Sequence, residues 1–354
     1  MNYVLRSLFG LLPLPLALPG AILVPLLLPS CGAGSEVSRA VRELQGYEIE
    51  LIARNELSGS EREQLFDNLE EALKAVRPDA KDSEIGTLNR RAGEKAVEVS
   101  PQVYRLLEKG RLFSELTDGV YDITAGPVRA LWRESRGSGN RPPREAVFEA
   151  VELIDYRQLE LSEEEHRAYL KREGMKIDPE PLIRGWAADL AVARMQEMGA
   201  FAGAVRVDSV YRCFGSTERT YHFPPEEVDT GVTGEFRLED GACVTVLPAE
   251  AAETSSPGVR RLYDTTTGVP LRSGVRLALV AGPDAISTDA LAQIMVLYGT
   301  ERGMQLIGET PFFHGLVVEQ DGDAYFSPQI GNRFDLSGEN VGKPVLWGNT
   351  KEEQ

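Results

Sequence analysis

The sequence predicts an α+β fold, with mixed β-sheets flanked by helices. Two kinds of observation support this. Runs of alternating apolar and polar residues, the mark of half-buried strands, are interleaved with stretches of three-to-four-residue apolar spacing, the mark of amphipathic helices. Motif strings at residues 82–90 and 117–132 carry more of the expectation than any single element does.

Residues 46–54 (GYEIELIAR) alternate and predict a strand. Over 60–76, Leu65, Phe66, Leu69, Leu73 and Val76 fall on one helical face, with Ser58 or Ser60 as cap and Pro78 as stop. Residues 101–116 predict a second amphipathic helix, with Pro101 in the first turn, where the missing N–H is not needed. Residues 133–144 (RESRGSGNRPPR) read as a Gly-, Pro- and Arg-rich loop with solvated arginines, followed by a helix over 145–152. Residues 158–161 and 175–177 read as a strand pair around a charged turn. Residues 182–198 carry Trp186, Leu190, Val192 and Met195 at helical spacing, and Gly199 ends the run. Further strands are expected at 204–211, 243–247, 274–281 and 313–319. An apolar helix is expected at 287–298, entered through Ser287, Thr288 and Asp289.

At 354 residues the chain is long enough for one large or two smaller domains. A net charge of −17 gives it no basic footprint, which argues against a nucleic-acid partner. The apolar run at 8–28 is broken by Pro13, Pro15, Pro19 and Pro25, which disfavours a membrane-spanning helix. It ends Leu28-Pro29-Ser30-Cys31 and resembles a bacterial lipoprotein signal in which Cys31 becomes the lipidated N-terminus; a plain secretory signal is the alternative. The expected layout is a signal at 1–30, a tether at 31–45, one domain at 46–345 and a polar tail at 346–354. The protein is then exported and anchored by lipid on the extracytoplasmic side of the membrane. Cys213 and Cys243 could pair, but neither has metal-ligand spacing to another Cys or His.

The string TDGVYDITAGPVRALW at 117–132 joins turn chemistry at Asp118 and Gly119 to a second carboxylate at Asp122 and a hydroxyl at Thr124. It resembles the flavin-lining signature of the FAD:protein FMN transferase (ApbE) family, and DSEIGTLNR at 82–90 is similar to that family's upstream segment. The similarity runs on to the region of residue 300. By this resemblance the protein has its ligand site between the two halves of the fold, moves FMN from FAD to a Thr or Ser hydroxyl of an exported target flavoprotein, releases AMP, and depends on Mg²⁺. Asp118, Gly119, Thr124, Arg184 and Ser255 are the implied FAD contacts, and Arg261 and Asp264 the implied catalytic pair. Asp289, Gln293 and the Ile183 carbonyl are the implied metal ligands, with helix capping as the plain alternative for Asp289.

Departures from the family strings concentrate at these positions. Pro179-Glu180-Pro181 stands where the family has Leu-Gly-Gly, Arg184 replaces a lysine, and Asp208-Ser209 replace a glycine pair. Gln293 stands at a ligating threonine and Arg261 at a histidine; an arginine cannot act as a base near neutral pH. His166 lies in an acidic turn and reads as exposed, and His222 and His314, flanked by aromatics, read as packed residues rather than catalysts. The second expectation is therefore a catalytically impaired FAD-binding or structural lipoprotein with the same fold.

Overall fold

The computed structural model describes residues 38–53, 57–138, 140–215, 217, 219–223, 232–249, 259–328 and 334–338. The signal at 1–30, Cys31, Ser255 and the polar tail lie outside the described residues.

The centre is a nine-stranded sheet. It contains β1 (Ser38–Leu44), β2 (Tyr47–Ala53), β6 (Gly203–Val207), β7 (Val210–Phe214), β10 (Gly241–Pro248), β12 (Val275–Gly282), β13 (His314–Glu319) and β14 (Ala324–Phe326), hydrogen-bonded in that order. Every pairing on this path is antiparallel, and β11 (Val259–Arg260) adds to the end of β10 in parallel. Two three-stranded sheets complete the β structure. One joins β3 (Val97–Glu98), β5 (Arg167–Leu170) and β4 (Leu159–Ser162); the other joins β15 (Phe334–Gly338), β9 (Val232–Leu238) and β8 (Arg219–Phe223). Eight helices are present among the described residues: α1 (Gly59–Ala75), α2 (Glu84–Arg90), α3 (Pro101–Leu116), α4 (Gly126–Ser138), α5 (Arg144–Val151), α6 (Glu180–Glu197), α7 (Ala285–Tyr298) and α8 (Thr300–Glu309). The class is α+β, as the sequence predicts. None of the helices is long and apolar enough to cross a membrane.

Strand alternation divides the central sheet between two cores. In β12, Leu277, Leu279 and Ala281 face the sheet made by β8 and β9, where Tyr221, Phe236 and Leu238 meet them. Ala278 and Val280 face the helices, and a bulge between Val275 and Leu277 brings Val275 to that side too. On the helical side α7 is buried through Ala290, Leu291, Ala292, Ile294, Met295 and Val296; a helix apolar on all sides belongs in a core. It crosses α6 at Gly185, where a Cβ would stand 2.4 Å from the Ala285 carbonyl oxygen. Asp189 of α6 accepts hydrogen bonds from the Ala285 and Ile286 amides at 3.0 and 2.9 Å, which satisfies otherwise orphaned donors of α7.

Several elements differ from expectation. Residues 38–44, inside the expected tether, form β1. The expected loop at 133–144 is helical through Ser138, because α4 starts at Gly126 and carries Arg129, Arg133 and Arg136 on successive turns. β4 pairs with β5, not with 175–177, where Lys176 makes only an isolated bridge to Ala125. The strand expected at 204–211 is a hairpin, broken at Asp208 and Ser209, with Asp208 at φ 50°. α7 begins two residues earlier than expected, and Asp284 is its N-cap, accepting from the Ser287 amide at 2.9 Å. Cys213 and Cys243 are buried free thiols; burial pushes Cys213 up to about 11 and raises Cys243 as well.

Candidate functional site

The 117–132 segment is a turn locked from inside. Thr117 closes α3 by donating its hydroxyl to the Phe113 carbonyl at 2.9 Å while accepting from the Tyr121 amide at 3.0 Å. Asp118 (φ 50°) and Gly119 (φ 83°) then reverse the chain in the left-handed region, which Gly enters without penalty and Asp tolerates. Asp122 Oδ1 accepts from the Thr124 amide and hydroxyl at 2.8 and 2.7 Å, and Oδ2 accepts from the Tyr156 amide at 3.1 Å. The Thr124 hydroxyl in turn accepts from the Asp155 amide at 2.9 Å. Thr124 is therefore fully buried and holds the 153–158 loop in place; its side chain presents nothing to solvent. The Asp118 side chain is 82% exposed and paired with Arg157 at 2.6 Å. Gly119 is tied to the Asp264 loop, since its carbonyl accepts from the Thr265 hydroxyl at 2.8 Å.

In that loop Asp264 Oδ1 accepts from the Thr266 amide, the Thr266 hydroxyl and the Thr267 amide at 2.8, 2.6 and 3.2 Å. Burial pushes the Asp264 carboxyl up, and these hydrogen bonds outweigh it, leaving the group below the usual range. Trp132 of α4 donates to the Gly268 carbonyl at 2.7 Å, so α4, the 117–125 turn and the 264–268 loop form one connected unit.

Beside this unit the positions that depart from the family strings pair with one another. Arg184 donates from Nε to Asp208 Oδ2 at 2.8 Å and from Nη1 to Glu180 Oε1 at 2.9 Å, and its guanidinium lies 5.0 Å over the Tyr47 ring. Arg129 donates to Glu180 Oε2 at 3.3 Å. Burial alone would raise Glu180; the Arg184 and Arg129 charges outweigh it and hold the carboxyl at about 2. Asp208 also accepts from the Glu48 amide at 3.0 Å, which fixes the hairpin turn against β2. Arg133, expected in solvent, bonds the buried Asp178 at 2.6 Å, and Arg136 bonds the Tyr263 hydroxyl at 3.1 Å.

Asp289 lies one turn inside α7 with no exposed surface, so the capping alternative does not hold; Asp284 has that role. Gln293 donates Nε2 to the Pro181 carbonyl at 2.5 Å and to the Asp289 carbonyl and Oδ1 at 3.2 Å each. Three surrounding acceptors fix which way the amide points. Facing Asp289 is a residue the sequence reading missed. Arg260 is 2% exposed, and its Nη2 is 3.6 Å from Asp289 Oδ1 and donates to Ser209 Oγ at 3.2 Å. Burial raises the Asp289 carboxyl, and the Arg260 and Arg184 charges only partly offset this. Burial and the Arg184 charge lower Arg260. Arg261, expected in the catalytic pair, is exposed. Its neighbour turns inward because alternate residues of an extended chain face opposite ways, and β11 pairs Arg260 with Pro248 at the end of β10.

The model of the ApbE family matches residues 45–314. The chain belongs to that family. It is 23% identical over 278 residues to an FAD:protein FMN transferase of Treponema pallidum, a match covering 73% of this chain and 77% of the relative. The fold is that of an ApbE protein from Thermotoga maritima (TM-score 0.72, 22% identity, covering 84% of this chain and 99% of that one). It is also that of a flavin transferase ApbE from Vibrio cholerae (TM-score 0.68, 19% identity, covering 84% and 99%).

The ApbE resemblance implied magnesium at Asp289, Gln293 and the Ile183 carbonyl, and the donor set here does not fit it. In favour are two buried acceptors with no hydrogen-bond partner, Asp289 Oδ2 and Gln293 Oε1. Against them stands a buried guanidinium facing the same carboxylate, whose charge repels a second cation. Arg260 Nε is itself a buried donor without a partner, so the group as a whole wants one acceptor and two donors, the complement of a water molecule. Ile183 sits in the first turn of α6, where helical geometry directs its carbonyl to the amide four residues on.

Proposed function

We propose that this chain is an FAD:protein FMN transferase that takes FAD as donor and passes FMN to a Thr or Ser hydroxyl of an exported target flavoprotein. The acceptor oxygen attacks the phosphorus of the FMN half, the pyrophosphate P–O bond breaks, AMP leaves as the phosphate monoester, and the hydroxyl proton passes to that phosphate or to water. The observation that carries this reading is the connected unit of the 117–125 turn and the 264–268 loop, joined by the Thr265 hydroxyl on the Gly119 carbonyl. Family membership supports the donor and the reaction class.

Phosphoryl transfer asks the protein for positioning and positive charge more than for covalent work. Arg129 and Arg184 supply charge at the half-buried Glu180. Asp264, kept ionised, shapes its loop. Arg261 contributes positive charge, and an arginine does not serve as the base for the acceptor hydroxyl. No step is assigned to magnesium. The N-terminal string ending at Cys31 supports export and a lipid anchor on the extracytoplasmic side, which would place the protein beside exported flavoproteins.

One observation favours the second reading, an impaired FAD-binding or structural lipoprotein. Glu180 and Asp208 already neutralise the arginines a dinucleotide phosphate would need. The test is to incubate the purified chain with FAD and an exported flavoprotein domain, measuring AMP by chromatography and the acceptor's mass. Transfer gives AMP in step with one FMN added to the acceptor. Retained FAD without AMP establishes the binding protein, and neither establishes the structural one.

A further inference from the structure

We infer that Arg260 is the resident cation of this site: its guanidinium takes the charge role at Asp289, so the protein neither needs nor binds a divalent ion there.

Several observations converge on the pair. Both side chains are withdrawn from solvent, and a guanidinium kept at such burial requires a carboxylate partner. Asp289 is the carboxylate that faces it, at 3.6 Å. Two departures from the family strings serve this arrangement. Ser209, where the family has glycine, accepts from Arg260 Nη2, and Gln293, where the family has threonine, clamps Asp289 Oδ1 with an N–H. A threonine could not reach both Asp289 and the Pro181 carbonyl; Gln293 does. The partnerless atoms are one donor, Arg260 Nε, and two acceptors, Asp289 Oδ2 and Gln293 Oε1. In number these match what a water molecule offers, two donors and an acceptor, whereas a bare cation leaves the donor unmet and adds like-charge repulsion. The parallel pairing of β11 with β10 fixes the strand parity that sends Arg260 inward. These contacts exist whether or not the chain turns over, so the inference stands apart from the transfer reaction.

The test is Mn²⁺ binding by the full chain, purified in EDTA and titrated with metal alone, with loss of the free-ion paramagnetic signal as readout. The wild type is expected to bind no Mn²⁺ in a manner that depends on Asp289. The Arg260→Met variant is expected to gain a site at least about tenfold tighter, because a vacated, oxygen-lined carboxylate pocket is what a hard divalent ion seeks. That gain should vanish in Arg260→Met/Asp289→Asn. FAD binding to the wild type, followed by calorimetry, should be the same in EDTA and in millimolar Mg²⁺. Mn²⁺ binding by the wild type that Asp289→Asn abolishes overturns the inference, as does a folded Arg260→Met that gains no site or FAD binding that EDTA removes. Should Arg260→Met fail to fold, the wild type against Asp289→Asn decides alone. The metal titration involves no flavin transfer, so its outcome and that of the AMP assay are independent.

Discussion

Arg260 Nη2 stands 3.6 Å from Asp289 Oδ1 with 1% and 0% of the two side chains exposed, a charge pair formed wholly inside the protein. Such pairs add little net stability but are costly to break, because the survivor is a buried, uncompensated charge. Arg260→Met should lower unfolding free energy by about 3–5 kcal/mol in EDTA. Arg260→Met/Asp289→Leu should recover most of that loss, since both charges are then gone. Urea denaturation of the wild type, the two single variants and the double variant measures the coupling directly.

Asp208→Asn should tighten FAD binding. The substitution leaves an oxygen to accept from the Glu48 amide and tolerates the positive φ of the turn, so the hairpin keeps its shape. It removes the charge that holds Arg184 Nε at 2.8 Å and opens that edge of the guanidinium to phosphate, while Glu180 keeps Nη1. The expected gain is roughly tenfold in affinity, shrinking as salt rises. Calorimetric titration with FAD at two ionic strengths checks both parts.

Gly185→Ala should destabilise the fold by about 3 kcal/mol, at the upper end for overpacking. The added methyl would stand 2.4 Å from the Ala285 carbonyl oxygen and 2.6 Å from Ile286 Cα, both backbone atoms that cannot swing aside. The α6–α7 crossing would have to open, and with it the contact between Gln293 and Pro181. A thermal melt reads the loss, and Ala193→Gly at an exposed position of the same helix serves as the control for helix propensity.

What the sequence made legible were the elements whose signals are local. Pro101 and the amphipathic run after it delimit α3 residue for residue, and Ser58 caps α1 through a reciprocal bond with Glu61. The hairpin at Asp208 was hidden because an apolar run resumes at Val210 after only two polar residues, in a turn that contains no glycine. β1 was hidden because SRAVREL pairs charged residues with small apolar ones, as a solvated tether also does. Asp289 was legible only through resemblance, and its partner not even then. Motif alignment drew attention to Arg261, while the parity of the strand decides that Arg260 is the one inside. The Arg184 network was half visible: Glu180 and Arg184 are four apart on a helix, but Asp208 reaches them only through the fold.

Asp122 gives the structure a pH dependence opposite in sign to that of a salt-bridged carboxylate. Burial pushes its pKa up to about 6, against the opposing hydrogen bonds from Thr124 and Tyr156. A carboxyl whose folded pKa is raised binds its proton more tightly when folded, so its contribution to stability is complete below the ordinary value near 3.8 and is lost as pH rises through about 6. Glu180, held at about 2, works the other way, and its contribution is lost only as pH falls from about 4.5 toward 2. The two windows barely overlap, which lets the Asp122 term be isolated. Asp122→Asn removes the titration and, by replacing Oδ2 with an N–H donor, also removes the acceptor for the Tyr156 amide. The variant should therefore be less stable than the wild type at pH 4. Its deficit should shrink by about 2–3 kcal/mol between pH 4 and pH 7 as the wild type alone takes on the burden of a buried charge. Urea midpoints at four pH values across that range test this, and a deficit that grows with pH would show that the carboxylate, not the acid, is the form the turn prefers.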